Sequence, residues 1–169
     1  MRCHSYLVLL PMLLSNQAHA ESLCNSREVL YYSCKTAGTK KLVSLCGSDL
    51  TDPKGFWLQY RFGRLGQLEL VYPQNRGETK PLFADSGFDV SHMWRKGGWD
   101  SEVSFKTHGW SYTIVSWMPV ENETNRTDGI LISKNRAGGP TTLLKCMSSP
   151  NFGKNGAFTS LVEQYSNAP

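Results

Sequence analysis

The sequence predicts an all-β domain, an antiparallel barrel or sandwich of eight to nine short strands with a short C-terminal helix. Segments that alternate apolar and polar residues recur at hairpin spacing, and turns rich in glycine and proline separate them. Helical periodicity is absent until the C-terminus, so the crossover helices that parallel strands require are missing. Sandwiches and barrels are the architectures that this pattern favours.

Period-two alternation identifies nine strands. The clearest is Phe56–Phe62, in which Trp57, Gln59 and Arg61 lie opposite the apolar face. A helix is expected within Gly156–Tyr165. The predicted strands are Glu28–Lys35, Lys40–Cys46, Phe56–Phe62, Gln67–Tyr72, Phe88–Trp94, Ser101–Thr107, Trp110–Trp117, Gly129–Lys134 and Thr141–Cys146.

The fourth strand and the segment after it are predicted from their composition. Leu68, Leu70 and Tyr72 lie at every second position, and we expect all three to point into the core. Pro73 ends the strand because it cannot donate to the ladder. The following segment, Pro73–Gly87, is polar and has no clear period, which indicates a surface loop.

The first 20 residues have the three parts of a secretory signal peptide. Arg2 precedes the apolar Tyr6–Leu14, and Ser15–Ala20 is small and polar with an Ala-x-Ala ending. About nine apolar residues cannot cross a hydrocarbon core, which needs about 20. We therefore expect cleavage before Glu21, and a single periplasmic or secreted domain of residues 21–169 that has no transmembrane segment.

The cysteines predict disulfides. Cleavage removes Cys3 and leaves Cys24, Cys34, Cys46 and Cys146, for which three pairings exist. The favoured pairing is Cys34–Cys146 with Cys24–Cys46, and the alternative joins Cys34 to Cys46 across the first hairpin. Because the domain has no Cys-x-x-Cys pair and only two histidines, we predict no metal site and no cofactor.

The charge of the domain argues against nucleic acid as a partner. Removal of Arg2 leaves 17 basic and 14 acidic residues, a net charge of +3. These charges are spread along the chain and form no basic stripe of the kind that phosphate contacts need. A clustered patch could still meet a partner, because local charge and not the total decides this.

Few residues are candidates for catalysis. Asp100 and Glu102 are two residues apart and would share one face of a strand, a pairing that acid–base hydrolysis can use. His108 precedes a glycine in a predicted hairpin turn, and His92 lies in a predicted strand. Gly-x-Ser-x-Gly, His-Glu-x-x-His and phosphate-binding glycine loops are absent from the sequence. Catalysis is therefore the less favoured interpretation.

The segment Met93–Asp100, with the sequence MWRKGGWD, holds the strongest binding candidates. Trp94, Arg95, Lys96 and Trp99 are of the residue types that anchor protein interfaces. The two glycines between them would allow a close approach to a partner surface. We expect these four side chains to make contact with a partner.

Several short motifs resemble those of uncharacterised exported proteins of Gram-negative bacteria. The resemblance spans most of the domain, and it implies export and this fold but no activity. The motifs are Tyr32-Ser-Cys34, Leu45-Cys46, Leu58-Gln-Tyr60-Arg-Phe62-Gly63, Leu70-Val-Tyr72-Pro73, Glu102-Val-Ser-Phe105, Tyr112-Thr-Ile-Val115 and Lys145-Cys146.

A second resemblance is to the periplasmic lysozyme inhibitors, small β-domains with an early cysteine bridged to a late one. These families insert a loop with a Ser-Gly motif, followed by a tyrosine, into the lysozyme cleft. Ser86-Gly87 matches the motif, but Phe88 stands in place of the tyrosine. A basic inhibitor would also repel the cationic lysozymes. The resemblance implies that Ser86 and Gly87 contact a partner. Arg76 and Lys80 lie in the same long loop, and their charges could add to a basic patch there.

Taken together, these features predict an exported non-enzymatic protein that binds a protein or an envelope component. The leading specific hypothesis is an inhibitor of a wall-degrading enzyme or of a similar protein partner. One alternative is a hydrolase that acts on cell-envelope polymers. The other is a structural protein of the envelope.

Overall fold

The structure, a computed structural model, describes residues 21–52, 54–76, 88–95, 98–119, 128–135 and 139–166. For Arg95, Met118 and Pro119 only the backbone is described. The described strands are β1 Val29–Lys35, β2 Leu42–Gly47, β3 Leu58–Arg64, β4 Gln67–Tyr72, β5 Phe88–Arg95, β6 Gly98–Thr107, β7 Trp110–Pro119, β8 Asp128–Lys134 and β9 Thr141–Lys145. A 3-10 turn at Lys154–Gly156 leads into helix α1, Ala157–Ser166.

The strands form two antiparallel sheets in which each strand pairs with the next along the chain. The first sheet has the order β1-β2-β3-β4 and the second has the order β5-β6-β7-β8-β9. Within the described residues, no strand of one sheet is a ladder neighbour of a strand of the other. The all-β prediction is therefore confirmed, and the arrangement is the sandwich and not a closed barrel.

Aromatic side chains fill the space between the two sheets. The rings of Tyr60 and Tyr72, from the first sheet, lie 4.8 Å and 4.4 Å from the ring of Phe105 in the second, measured between centroids. Tyr72 also meets Phe88 at 5.4 Å. Aromatic residues bury large areas, so these few contacts carry much of the energy that holds the sheets together.

Helix α1 closes one side of this core. Phe158, Leu161 and Val162 are buried at the helical spacing that places them on one face. The helix packs against β1 and β5, and the Phe158 ring lies 5.8 Å from that of Tyr32. The predicted C-terminal helix is therefore present, within one residue of its expected bounds.

Two disulfides fasten the chain, in the pairing that the sequence favours. Cys24–Cys46 joins the residues before β1 to β2, with the Cα atoms 5.4 Å apart. Cys34–Cys146 joins β1 to the residue after β9, with the Cα atoms 5.6 Å apart. Because β1 and β9 belong to different sheets, the second bridge links the two sheets covalently.

The residues Glu21–Glu28, here called the N-terminal segment, cover the outer face of the first sheet. Ser33, Ser44 and Arg61 are cross-strand neighbours on this face, opposite the core. The Leu23 N–H donates to Ser44 Oγ at 2.9 Å, and Ser33 Oγ donates to the Glu21 carbonyl at 2.8 Å. The first sheet is therefore covered on both faces, by the second sheet and by the N-terminal segment.

Local irregularities account for the side chains whose direction differs from the prediction. Leu68 is 46% exposed, so the expectation that it points inward is wrong; Leu70 and Tyr72 do pack against the core. The β3–β4 register shifts after Phe62, where Gly63 pairs with Leu68, and this bulge breaks the alternation.

The structure also bears on membrane insertion. The described part of the chain contains no helix with the length and apolar character needed to cross a bilayer. Helix α1, with 10 residues, is about half the length that a membrane span requires.

Candidate functional site

Two exposed tryptophans lie opposite each other at the end of the β5–β6 hairpin. Trp94 pairs with Trp99 across the two strands, and their rings meet edge to face with centroids 5.3 Å apart. Trp94 is 55% exposed and Trp99 is 39% exposed. Large aromatic side chains are rarely left in solvent without reason, so this pair is the strongest candidate for a contact surface.

His92 supports Trp99 from the protein side. The imidazole and indole rings are stacked with centroids 4.5 Å apart and an angle of 5° between their planes. His92 Nδ1 also lies 2.8 Å from Ser101 Oγ, in hydrogen-bonding distance. We call His92, Trp94 and Trp99 the aromatic cluster; its inner member is fixed by a hydrogen bond and its outer members face solvent.

A row of polar side chains, which includes His92, separates Trp94 and Trp99 from the core. It runs straight across four strands and consists of His92, Ser101, Ser116 and Asp128. Ser116 Oγ donates to Asp128 Oδ1 at 3.0 Å, and both residues are buried. The neighbouring row on the same face is entirely apolar, with Val90, Val103, Ile114 and Ile130. The apolar core therefore ends at this polar row.

This row does not have the geometry of a Ser–His–Asp triad. In a triad the carboxylate binds the imidazole that activates the serine. Here Asp128 is three strands from His92, about 14 Å at the usual strand spacing, and accepts from a different serine. Ser101, which does contact His92, is buried.

The structure separates His108 from the other two predicted catalytic candidates. Asp100 and Glu102 lie on the same face of β6, but it is the face opposite the aromatic cluster. His108 is exposed at the β6–β7 turn, where it and Gly109 both have positive φ. His108 is six positions beyond Glu102 along the chain, about 20 Å in extended conformation. His108 is therefore not brought together with the two carboxylates.

Arg76 lies at the first sheet, away from the hairpin that carries the aromatic cluster. Its guanidinium forms an ion pair with Glu28 and sits over the indole of Trp57, 4.5 Å from the ring centroid. Lys80, Ser86, Gly87 and Lys96 lie outside the described residues, as does the side chain of Arg95. Of the eight predicted binding residues, the structure thus groups Trp94 with Trp99 and separates Arg76 from them.

Glu28 and Arg61 form a buried ion pair beneath the N-terminal segment. Their side chains are 2% and 7% exposed, and Arg61 donates to both oxygens of Glu28, at 2.7 Å and 2.8 Å. The remaining N–H groups of Arg61 donate to Gln59 Oε1 and to the Leu23 carbonyl. Every donor of this guanidinium is therefore used, which is what burial of an arginine requires.

The surroundings of Glu28 shift its pKa. Burial by itself raises the pKa, because it disfavours the charged form. The hydrogen bonds from Arg61 and from the Asn25 N–H, with the charges of Arg61 and Arg76, outweigh burial, and the pKa lies below its ordinary value. Glu28 is therefore ionised at neutral pH.

The sequence pattern gave no sign of this ion pair. Alternation places Arg61 on the polar face of its strand, and a polar face is ordinarily solvated. Only the covering N-terminal segment buries it, and that segment is brought there by Cys24–Cys46. The Sγ atoms of Cys24 and Cys46 and a carboxylate oxygen of Glu28 lie within 4.8 Å of one another. The two sulfurs are bonded to each other, however, and offer no thiolate to a metal.

Comparison with known protein families, curated proteins and solved structures gives no significant match. The resemblance to exported proteins of Gram-negative bacteria stays a prediction that rests on the motifs quoted above.

Proposed function

We propose that this chain is an exported binding protein and that the aromatic cluster is the centre of its contact surface. The observation that carries the proposal is the exposed Trp94–Trp99 pair, held from behind by the stacked His92. Tryptophans that are rigid before binding lose little conformational entropy on contact, which makes them effective anchors. The proposed partner is a protein.

Export is supported by two independent features. The two disulfides are of the kind that persist in oxidising compartments. The first 20 residues have the pattern of a signal peptide. We therefore propose the periplasm or the extracellular space as the location.

A wall-degrading enzyme is the partner class that we propose first. The support comes from the Ser86-Gly87 resemblance to periplasmic lysozyme inhibitors. That motif directly precedes β5, the strand that carries Trp94, so both belong to one stretch of chain.

The test is a binding measurement against a panel of purified wall hydrolases, including lysozymes. We expect Trp94→Ala to weaken binding about 30-fold, the effect of losing a 2 kcal/mol anchor. Leu65→Ala is the matched control, because Leu65 is 68% exposed in the β3–β4 turn and should not affect binding. A hydrolase that is bound or inhibited equally by both variants would contradict the proposed surface.

A second readout removes the dependence on a chosen panel. A photoreactive amino acid at position 94 should crosslink one partner of defined mass in an envelope extract, and the same probe at position 65 should not. If neither position crosslinks a partner, and the panel shows no binding, the proposal of a protein-binding function is wrong.

A further inference from the structure

An open pocket of about 680 Å³ lies between the N-terminal segment and the β2–β3 connection. Its volume is within the range of small-ligand sites, about 300–1,000 Å³. The half-buried indole of Trp57 forms one wall, and Arg76 lies at its edge. Neither residue belongs to the aromatic cluster, so this pocket, which we call the Trp57 pocket, is a separate feature of the surface.

The indole of Trp57 already holds a cation. The guanidinium of Arg76 lies 4.5 Å from the ring centroid, well inside the 6 Å within which a cation–π attraction acts. The same guanidinium is paired with Glu28. The combination of an aromatic face and a carboxylate is one that recognises a guanidinium by both its plane and its charge.

The charge of the lining also favours a cation. Three carboxylates line the pocket, from Glu28, Asp49 and Asp52, against two guanidiniums, from Arg27 and Arg76. Glu28 is also paired with Arg61 from beneath, so the site is neutral while Arg76 is in place and negative by one charge once Arg76 leaves, in a chain whose net charge is +4. Hydrogen bonds from Thr51 lower the pKa of Asp49, which keeps its carboxylate charged.

Arg76 can leave the indole without disturbing the fold. Its side chain is 49% exposed, whereas the Glu28 side chain beneath it is 2% exposed. If Arg76 moves away, Glu28 keeps both of its hydrogen bonds to Arg61 and stays neutralised. The ion pair of Arg76 is partly solvated, and pairs of that kind contribute little to stability.

We propose that the Trp57 pocket binds the guanidinium of an arginine side chain presented by a polypeptide, and that Arg76 is an internal occupant which the ligand displaces. An incoming guanidinium takes the place of Arg76 on the indole, and Asp49 and Asp52 provide the additional negative charge. This site is independent of the proposed function of the aromatic cluster.

The test is an NMR titration of the disulfide-bonded domain, residues 21–169, followed through the five tryptophan indole N–H signals. The probe is N-acetyl-arginine-amide, and N-acetyl-citrulline-amide is the uncharged analogue of the same shape. The Trp57 signal is assigned from Trp57→Phe. We expect saturable shifts of that signal with the arginine probe and none with the citrulline probe.

The decisive variant is Arg76→Ala. Removal of a competing cation from the indole should tighten arginine binding roughly two- to fivefold, the worth of an exposed cation–π contact. Arg64→Ala, which removes the same charge from an exposed site at the end of β3, should leave the affinity unchanged. The four other indole signals report whether each variant keeps its fold.

Three results would overturn the proposal. The first is equal binding of the citrulline probe, and the second is the absence of a saturable shift in Arg76→Ala. The third is weaker binding by Arg76→Ala than by the wild type, because Arg76 would then be a contact of the ligand and not its competitor. A failure of the wall-hydrolase test leaves this titration unaffected, since Trp94 and Trp99 belong to the other sheet.

Discussion

At the scale of single residues, Glu28 is a buried charge that several hydrogen bonds hold in place. It is buried, it accepts two hydrogen bonds from Arg61, and it also accepts from the backbone N–H of Asn25. Removal of one member of a buried pair leaves the other charged and without compensation, which costs more than the pair contributes. The stability of the domain should therefore depend on the charge of Glu28.

We predict that the domain loses stability in acid through Glu28. Its pKa is lower in the folded state than its ordinary value of 4.5. A lowered pKa contributes stability that is fully present above the unfolded pKa and is lost as the pH falls through the folded one. The contribution of Glu28 to the free energy of unfolding, measured with urea, should not change with pH near neutrality. It should decrease as the pH falls below about 4.5.

Glu28→Gln provides the comparison for this prediction. At neutral pH we expect it to be less stable than the wild type by about 3–5 kcal/mol, and the difference should shrink as the pH falls below 4.5. Glu69→Gln breaks the more exposed pair with Lys41 and should cost about 1 kcal/mol or less. A difference between wild type and Glu28→Gln that is the same at pH 3 and pH 7 would contradict the role given to Glu28.

At the scale of the elements, the strands follow from the sequence and their irregularities do not. All nine predicted strands are present, and the sixth begins three residues earlier than expected, at Gly98. Alternation in β1 predicts that Tyr31 and Tyr32 face opposite sides, yet both are buried. The register of β1 shifts between Leu30 and Tyr32, and a bulge of this kind leaves no mark in a pattern of apolar and polar residues.

The candidate site was only partly accessible to the same reasoning. Residue type alone pointed to Trp94 and Trp99, because tryptophan is among the residue types that anchor protein interfaces. The contact of His92 with Trp99 depends on the register of the two strands. The two glycines between Trp94 and Trp99 do not predict that register. The Trp57 pocket is lined by three segments that are distant in the chain, so no local sequence pattern predicts it.

The connection between β9 and α1 contains a glycine that no other residue should replace. Gly153 has φ 76°, and a Cβ atom there would collide with the carbonyl oxygen of Leu30. Gly66 has φ 77° but has open space where a Cβ would point. Gly153 also has ψ 175°, which together with its positive φ is a conformation that essentially only glycine adopts, so a side chain there would meet both backbone strain and the collision.

We predict that Gly66→Ala costs about 1–2 kcal/mol in the free energy of unfolding, from backbone strain alone. Gly153→Ala should cost more than this by a margin that urea titration resolves, since its backbone conformation is nearly exclusive to glycine and a Cβ there must also displace the β1 backbone. Equal costs at the two positions would show that the close approach of Gly153 to Leu30 is not retained in solution.

At the scale of the whole molecule, the two sheets are joined by aromatic packing and by one covalent link. Cys34–Cys146 spans 112 residues, whereas Cys24–Cys46 spans 22. In the chain-entropy model, closure of the longer loop restricts the unfolded chain more. The longer bridge should therefore contribute the larger share of stability.

We predict that the variant Cys34→Ala with Cys146→Ala loses about 4.8 kcal/mol, and that Cys24→Ala with Cys46→Ala loses about 3.4 kcal/mol. Urea titration of both double variants without reductant gives the comparison. A larger loss from the Cys24–Cys46 pair would indicate that the N-terminal segment, which this bridge holds over the Glu28–Arg61 pair, matters more than loop closure.

The separations of the two bridges also set an order of events during biosynthesis. A ribosome completes Cys46 soon after Cys24, but more than a hundred residues must follow Cys34 before its partner exists. Throughout that interval Cys34 is a thiol without its native partner on a nascent chain. If Cys34 is oxidised in that interval it can join only to an earlier cysteine such as Cys24 or Cys46, and such a bond has to be exchanged before Cys34 can pair with Cys146.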